Sequence, residues 1–336
     1  MKKFLVTGGA GFIGSHIVEA LIKKGHFVRI LDNFSSGKIE NLDFTKDLSP
    51  KAYGLIKGDI RDKAICLKVT KGVDFVLHQA ALRSVPKSLG NPKEYNEVNI
   101  GGTLNMLEAA RQNKIKCFVF ASSSSIYGEA VKFPEKEDDM PRLISPYALT
   151  KLAGEYYCKI FSKNYGLSTV SLRYFNVFGP RQALDDEYAV VIPKFITCML
   201  NDEPSPIYGT GRQSRDFTYV DNVVAANILA AQKGNLSRRS GIPQITPMAD
   251  SAKGGNAGKG EVFNVASGKD YSILGLVEAL NKIMKKDIKP VFLPLRPGDV
   301  FKTLADLSRA KRILGFKPKI GFPEGLELTV EYFKEL

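Results

Sequence analysis

Tyr147 and Lys151 stand four residues apart in Tyr147-Ala148-Leu149-Thr150-Lys151, downstream of the serine run Ser122-Ser123-Ser124-Ser125. On a helix that spacing projects both side chains from one face. A free tyrosine ionises near pH ~10, and a neighbouring ammonium is expected to lower that value. The resulting phenolate can take a proton from a hydroxyl as the carbon beneath it is oxidised. Ser123 would donate or relay a hydrogen bond to the same hydroxyl. Alternatively, Tyr147 and Lys151 are an ordinary surface pair and Ser123 a loop serine bonded to backbone. The order of elements argues against that: a strand, a serine loop, then a helix carrying the pair. Oxidation also needs an electron acceptor. Near the N-terminus, Gly8-Gly9-Ala10-Gly11-Phe12-Ile13-Gly14 follows an apolar run and opens a helical pattern, the context in which a glycine turn holds a dinucleotide. Together the two patterns describe oxidation of an alcohol carbon by a bound nicotinamide.

These groups need a scaffold, and the flanking sequence describes one. Residues 4–7 read as a buried strand. Residues 12–24 have helical spacing, with Ile13, Ile17 and Leu21 on one face and Gly25 as the stop. Residues 27–31 are the next strand, ending at Asp32. This is a βαβ unit of a parallel sheet. The glycine spacing is GxxGxxG rather than GxGxxG, but Asp32 lies about 20 residues on, where a carboxylate can bind the adenosine ribose hydroxyls. A carboxylate there repels a 2′-phosphate, which favours NAD over NADP. Asp59 could face the adenine or be a plain turn aspartate. The alternation continues with strands at 52–56, 73–77, 117–121 and 167–173 and long helices at 92–113 and 147–164. The predicted fold is α/β, a Rossmann-type doubly wound parallel sheet over residues 1–176, its ligand crevice beyond the carboxyl ends of the strands. Beyond 176 the elements shorten and Pro180, Pro193, Pro204 and Pro206 appear. Residues 177–336 are expected to form mainly a smaller α/β substrate lobe, with returns to the large sheet near 215–232. The Gly-, Ser- and Lys-rich stretch 234–260 reads as a long mobile surface loop.

Composition narrows the function. At 336 residues and 44% hydrophobic the chain can bury a large core. The net charge is +13, but the lysines are scattered and form no long basic run. A soluble protein handling an anionic small molecule is favoured over a nucleic-acid binder. Cys66, Cys117, Cys158 and Cys198 lack metal or redox spacing and read as free thiols of a reducing compartment. The apolar run after Met1 ends too soon for a signal peptide, and no segment approaches the roughly 18 apolar residues of a membrane span. The expectation is a cytoplasmic protein without a metal or a membrane partner.

The motifs TGGAGFIGSH, HQAA, VNIGGT, SSSSIYG, SPYALTK, RYFNVFGPRQ, SRDFTYVDN and RPGDV cover nearly all of the chain. In them the chain resembles the extended short-chain dehydrogenase/reductase superfamily, and within it the NAD-dependent UDP-hexose and UDP-N-acetylhexosamine 4-epimerases. The resemblance implies NAD contacts at Gly8, Gly11, Phe12, Ile13, Gly14, Asp32, Asn33, Asp59, Ile60, Ala80, Asn99, Tyr147 and Lys151. It implies a catalytic set of Ser123, Tyr147 and Lys151. It places the UDP-sugar on Ser84, Ser123, Tyr147, Asn176, Val191, Lys194, Tyr208, Arg215, Arg296, Asp299 and Thr303. Arg215 and Arg296 would clamp the diphosphate, as paired guanidinium groups do; the alternative for each is a structural ion pair. The implied reaction is reversible oxidation at C4 through a transient 4-keto sugar, with NAD regenerated in each cycle.

Rival chemistries leave marks in the serine loop. A 4,6-dehydratase needs an Asp-Glu pair where this chain has Ser124 and Ser125. A UDP-glucuronate decarboxylase would be expected to carry Glu there. A UDP-glucuronate 4-epimerase has a similar serine loop and remains the alternative, while FNVFGPRQ resembles the N-acetylhexosamine group. Non-catalytic NAD-binding relatives often lack the Tyr or the Lys, and both are present. In 4-epimerases a residue seven places after the RPGD arginine lines the pocket for the C2 substituent. A large aromatic there restricts the pocket to plain hexoses; here it is Thr303. Related enzymes often form homodimers by packing two long helices from each subunit. The matching segments are 93–113 and 146–164, whose Leu104, Leu107, Leu152 and Tyr156 would serve either that interface or the core.

Overall fold

The computed structural model describes residues 1–183, 191–239, 259–295 and 300–336. The first six strands are β1 (Lys3–Thr7), β2 (Phe27–Asp32), β3 (Tyr53–Lys57), β4 (Phe75–His78), β5 (Cys117–Ser123) and β6 (Thr169–Tyr174). β4 and β6 are buried at every position, as strands covered by helices on both faces must be. Four short strands follow: β7 (Val177–Phe178), β8 (Pro206–Tyr208), β9 (Ser214–Arg215) and β10 (Thr218–Tyr219). Then come β11 (Lys259–Val265), β12 (Tyr271–Ser272) and β13 (Val291–Leu293). A seven-stranded sheet runs β11-β6-β5-β4-β1-β2-β3, and every pairing in it is parallel. The remaining short strands pair two by two, β10 with β7, β12 with β9 and β13 with β8.

The helices are α1 (Phe12–Lys23), α2 (Lys63–Thr70), α3 (Val85–Gly90), α4 (Pro92–Tyr95), α5 (Thr103–Gln112), α6 (Pro146–Tyr165), α7 (Val191–Leu200), α8 (Val220–Arg239), α9 (Ile273–Met284) and α10 (Phe322–Lys334). Ile17, Val18 and Leu21 of α1 share a buried cluster with Val223, Ala226 and Ala230 of α8 on one face of the large sheet. Met106 and Leu107 of α5 join Cys158 and Phe161 of α6 on the other. A third cluster, with Phe178, Phe195, Phe217, Phe322 and Leu326, is a separate core built from residues beyond 177. Among the described residues no helix is long and apolar enough to cross a membrane. All four cysteines are free, three of them buried.

Three local expectations change. The helix expected over 92–113 is broken in its hydrogen bonding: between α4 and α5 lies a π-helical segment, Asn96–Gly102. The return to the large sheet expected near 215–232 is made by a helix: β9 and β10 pair outside that sheet, and the chain is helical from Val220. The 234–260 loop is shorter than expected at both ends. Residues 234–239 continue α8, and Lys259 and Gly260 already belong to β11; residues 240–258 lie outside the described residues.

Candidate active site

From β1 the sheet continues to β2 and β3; from its neighbour β4 it continues the other way, to β5 and β6. Such a reversal opens a crevice beyond the strands' carboxyl ends. Here it is a cleft of about 480 Å³, lined among others by Gly8, Gly11, Phe12, Ile13, Gly14, Asp32, Asn33, Asp59, Ile60, Ala80, Tyr147 and Lys151. Gly8 has φ +66°, and a Cβ on it would lie 2.8 Å from the Ala80 nitrogen. A Cβ on Gly14 would lie 2.0 Å from the Gly8 oxygen, so α1 sits on the glycine turn only because both residues lack side chains. Gly11 caps α1 with no side-chain hydrogen bond. The helix therefore presents its positive end to the cleft, and this cradle fits a pyrophosphate.

The Asp32 carboxylate ends β2 and is fixed by backbone. Oδ2 accepts from Ala10 N at 2.9 Å and Oδ1 from Phe34 N at 2.8 Å. Burial raises its pKa against these two bonds. Asn33 Nδ2 donates to Asp59 Oδ2 at 3.0 Å. Arg61 grips Asp59 through Nε (3.0 Å) and Nη2 (2.7 Å) and, with burial opposing, holds its carboxyl down to about 2.

The residues expected to transfer the proton come from two elements. β5 delivers Ser123 at its end. The Ser145 hydroxyl caps α6, accepting from Ala148 N at 3.2 Å, and Pro146 opens the helix. That cap sets Tyr147 and Lys151 in its first turns, facing the sheet. Lys151 is 5% exposed. Its Nζ donates to the Ala121 oxygen at 2.8 Å and lies 5.2 Å from the Phe120 ring centre and 5.8 Å from that of Tyr147. Burial brings its pKa down to about 8. The Tyr147 phenol does not have the lowered pKa expected of it. Burial raises it, and Tyr95 adds to that, while a hydrogen bond with Ser123 and the charge of Arg83 act the other way. The cost of charging a buried phenol outweighs its neighbours, a term that sequence spacing leaves out. Tyr95 meets the Tyr147 ring edge-on, with centres 6.5 Å apart.

Beneath the serine loop lies a buried ion pair. Arg173 donates through Nε and Nη2 to the two oxygens of Glu155, both at 2.8 Å, and each side chain is 4% exposed. Ser122 donates to the same Glu155 at 2.5 Å. Burial works against the Arg173 charge, but Glu155 prevails and holds its pKa up.

Asn99 and Ser84, two of the expected contact residues, are tied to other parts of the chain. Asn99, 2% exposed, accepts from Leu82 N at 2.8 Å and donates to the Leu82 oxygen and to Thr150 Oγ1, both at 3.0 Å. It ties the loop after β4 to α6 beside Lys151. Ser84 caps α3, and its N–H donates to the Tyr95 hydroxyl at 3.1 Å.

Among the residues expected to hold the sugar nucleotide, Asn176 follows β6 and donates through Nδ2 to Thr303 Oγ1 at 2.9 Å. Thr303 also accepts from Asp216 N at 3.1 Å. Arg215 is 8% exposed, and its Nη1 donates to the oxygens of Ser214 (2.9 Å) and Phe301 (3.2 Å). Val191 and Lys194 lie on α7 and Tyr208 on β8. Arg296 and Asp299 lie outside the described residues. Sequence reasoning missed Arg83, Tyr174, Arg181 and Gln182, which also line the cleft. The last three stand in or beside the RYFNVFGPRQ motif, which was the available signal. Arg181 pairs with Glu19 and donates to His16 Nδ1 at 3.2 Å, which locks this segment onto α1.

Comparison with known proteins agrees with this geometry. Residues 4–244 match the model of the NAD dependent epimerase/dehydratase family. A putative UDP-glucose 4-epimerase of Methanocaldococcus jannaschii is 37% identical, with 98% of each chain covered. The solved UDP-N-acetylglucosamine 4-epimerase from Methanobrevibacter ruminantium M1, in complex with UDP-N-acetylmuramic acid, is 44% identical with a TM-score of 0.88, covering 99% of this chain and 98% of its own. A UDP-glucuronic acid 4-epimerase from Bacillus cereus, solved with UDP-glucuronic acid and NAD, is 34% identical with a TM-score of 0.85, covering 99% of both chains. A parallel sheet with a glycine turn, a Ser-Tyr-Lys group and these matches identify the chain as an NAD-dependent enzyme belonging to the epimerase/dehydratase family of the extended short-chain dehydrogenases.

Proposed function

We propose that the chain is a 4-epimerase of UDP-sugars that interconverts UDP-N-acetylglucosamine and UDP-N-acetylgalactosamine and also accepts the plain hexose pair. The observation that carries this reading is that Tyr147 and Lys151 line the cleft beside the glycine turn, with Ser123 hydrogen-bonded to Tyr147. NAD, when bound, supplies reversible oxidation at C4. Tyr147 holds and returns the C4 hydroxyl proton, and Ser123 orients that hydroxyl. Lys151 positions the nicotinamide end of the cofactor. Gly8, Gly11 and Gly14 seat the pyrophosphate, and Asp32, with Asn33 and Asp59 beside it, receives the adenosine end. Arg215 and Arg296 grip the diphosphate, leaving the sugar free to present either face to the cofactor. Thr303, small and bonded to Asn176, leaves room for an N-acetyl group.

The same reading makes the protein a cytoplasmic homodimer, a place consistent with four free thiols. α6 exposes Leu149 (53%), Tyr156 (58%) and Ile160 (43%), which suit a helix interface. Leu107 is fully buried in the core, and Leu104 packs against it.

The test follows the sugar anomeric NMR signals of purified protein given UDP-galactose, UDP-N-acetylgalactosamine or UDP-galacturonate, without added NAD. Conversion of the N-acetyl sugar to its gluco epimer is expected. Conversion of UDP-galacturonate alone would establish the uronate reading in its place. The Tyr147→Phe protein should lose turnover by about 10²–10⁴-fold while still binding UDP; full turnover would remove Tyr147 from the reaction.

A further inference from the structure

Thr303 sits in a stretch whose backbone is held from outside. Residues 303–306 belong to no regular strand, yet each of their N–H groups is bonded. Thr303 N donates to the Ser214 oxygen at 3.2 Å and Asp306 N to the Glu135 oxygen at 2.8 Å. Leu304 N donates to Glu135 Oε2 at 2.9 Å, and Ala305 N to Asp216 Oδ2 at 3.2 Å. Glu135 N in turn donates to the Leu304 oxygen at 2.7 Å, so Glu135 and Ala305 pair as an isolated parallel bridge. Glu135 therefore touches this stretch through its N–H, its carbonyl and its side chain. The Asp216 carboxylate is divided among Ala305, Ser267 and Gly268, while that of Glu135 is aimed at Leu304.

Glu135 is 1% exposed. Burying a carboxylate is costly, and its neighbour Asp216 is another, 0% exposed. A single backbone N–H could be satisfied more cheaply by a carbonyl. The placement is informative. Glu135 lies on the loop that follows β5, the strand ending at Ser123, and its bond reaches across 169 positions of sequence. It couples the loop after β5 to the stretch carrying Thr303, whose hydroxyl also accepts from Asn176.

We propose that Glu135 is a positioning residue that fixes the 303–306 stretch against the loop after β5 and thereby sets how strongly the site discriminates between substituents at the sugar C2. The assignment rests on Thr303 facing that substituent, as in the function proposed above.

The test compares binding of UDP-N-acetylglucosamine and UDP-glucose by calorimetry to the NAD-loaded wild type, Glu135→Ala and Glu135→Gln. Glu135→Ala leaves Leu304 N without its acceptor, and the ratio of the two Kd values should shift by roughly fivefold, the size of one net hydrogen bond. Affinity for UDP alone should stay as in the wild type. Glu135→Gln keeps an amide oxygen for Leu304 N and should keep the wild-type ratio. If both affinities of Glu135→Ala fall together, or neither changes, Glu135 is only a structural clamp and the proposal fails. It fails equally if Glu135→Gln shifts the ratio as far as Glu135→Ala. Should Glu135→Ala not fold, Glu135→Asp, one methylene short of Leu304 N, is expected to shift the ratio in its place; an unchanged ratio there overturns the assignment. Wild-type turnover is scored separately by NMR, so absence of epimerisation counts against the proposed function while the Kd ratio still decides on Glu135.

Discussion

Replacing Lys151 by Met should make the NAD-free protein more stable near neutrality while abolishing its chemistry. Burial brings the Lys151 pKa from 10.5 down to about 8. At about 1.4 kcal/mol per tenfold, the fold bears about 3 kcal/mol for keeping that ammonium charged. Below pH 8 the side chain is charged in both folded and unfolded chains, and the whole cost is present. Between pH 8 and 10.5 the folded protein releases its proton first, and the cost fades. Above that range the amine is neutral in both states. Met carries no such charge, but it leaves the Ala121 oxygen without its 2.8 Å donor, a loss of about 1–2 kcal/mol at any pH. Lys151→Met is therefore expected to gain about 1–2 kcal/mol at pH 7 and to fall behind the wild type by a similar amount near pH 10.5. Urea unfolding of NAD-stripped wild type and variant at several pH values between these limits measures the difference directly. Turnover should fall by at least about 10²-fold. A stability difference independent of pH would refute the reasoning, because it would mean that Lys151 is not charged at a cost in the fold.

Gly14→Ala should drive the helix off the glycine turn, since its Cβ would meet the Gly8 oxygen at 2.0 Å; the purified protein should lose its bound NAD, read from its absorbance at 260 nm relative to 280 nm. Gly90→Ala, where nothing lies within 4 Å of the new Cβ, is the control and should keep it. Glu155→Gln leaves Arg173 charged and buried without its counter-ion, and should cost about 3–5 kcal/mol in urea unfolding; a loss below about 1 kcal/mol would show that the pair is dispensable. Thr303→Tyr should abolish turnover of UDP-N-acetylgalactosamine while sparing UDP-galactose, and loss of both or of neither would count against the pocket reading.

What the sequence made legible was the part written in local pattern. The apolar runs at β1, β2 and β5 and the 3.6-residue spacing of Ile13, Ile17 and Leu21 are local properties, and they sufficed to place the glycine turn, Asp32 and the Tyr147–Lys151 pair on the correct elements. The π-helical segment at Asn96–Gly102 was not legible, because its residues keep the helical period and differ only in which carbonyl each N–H finds. The raised pKa of Tyr147 was hidden for another reason: burial comes from β5 and from the loops after β4, not from the three residues between Tyr147 and Lys151. The bonds of the Asn99 amide to Leu82 and Thr150 are visible only in the tertiary arrangement. The link from Glu135 to Leu304 left no trace in either local sequence.

The order in which the sheet is completed bears on how the chain emerges from the ribosome. Its outermost strand on the β6 side is β11, which is synthesised long after its neighbour. Between the end of β6 at 174 and the start of β11 at 259, translation takes roughly 4 to 17 s. During that interval β6 is an open edge, with a full row of backbone groups available to any other nascent chain. Fragments ending at residue 176, or at residue 244 where the family match stops, would carry that edge permanently and lack Phe263 and Val265 from the core. They should be caught by chaperones or precipitate rather than bind a dinucleotide, so the smallest self-sufficient nucleotide-binding unit of this protein extends through Val265.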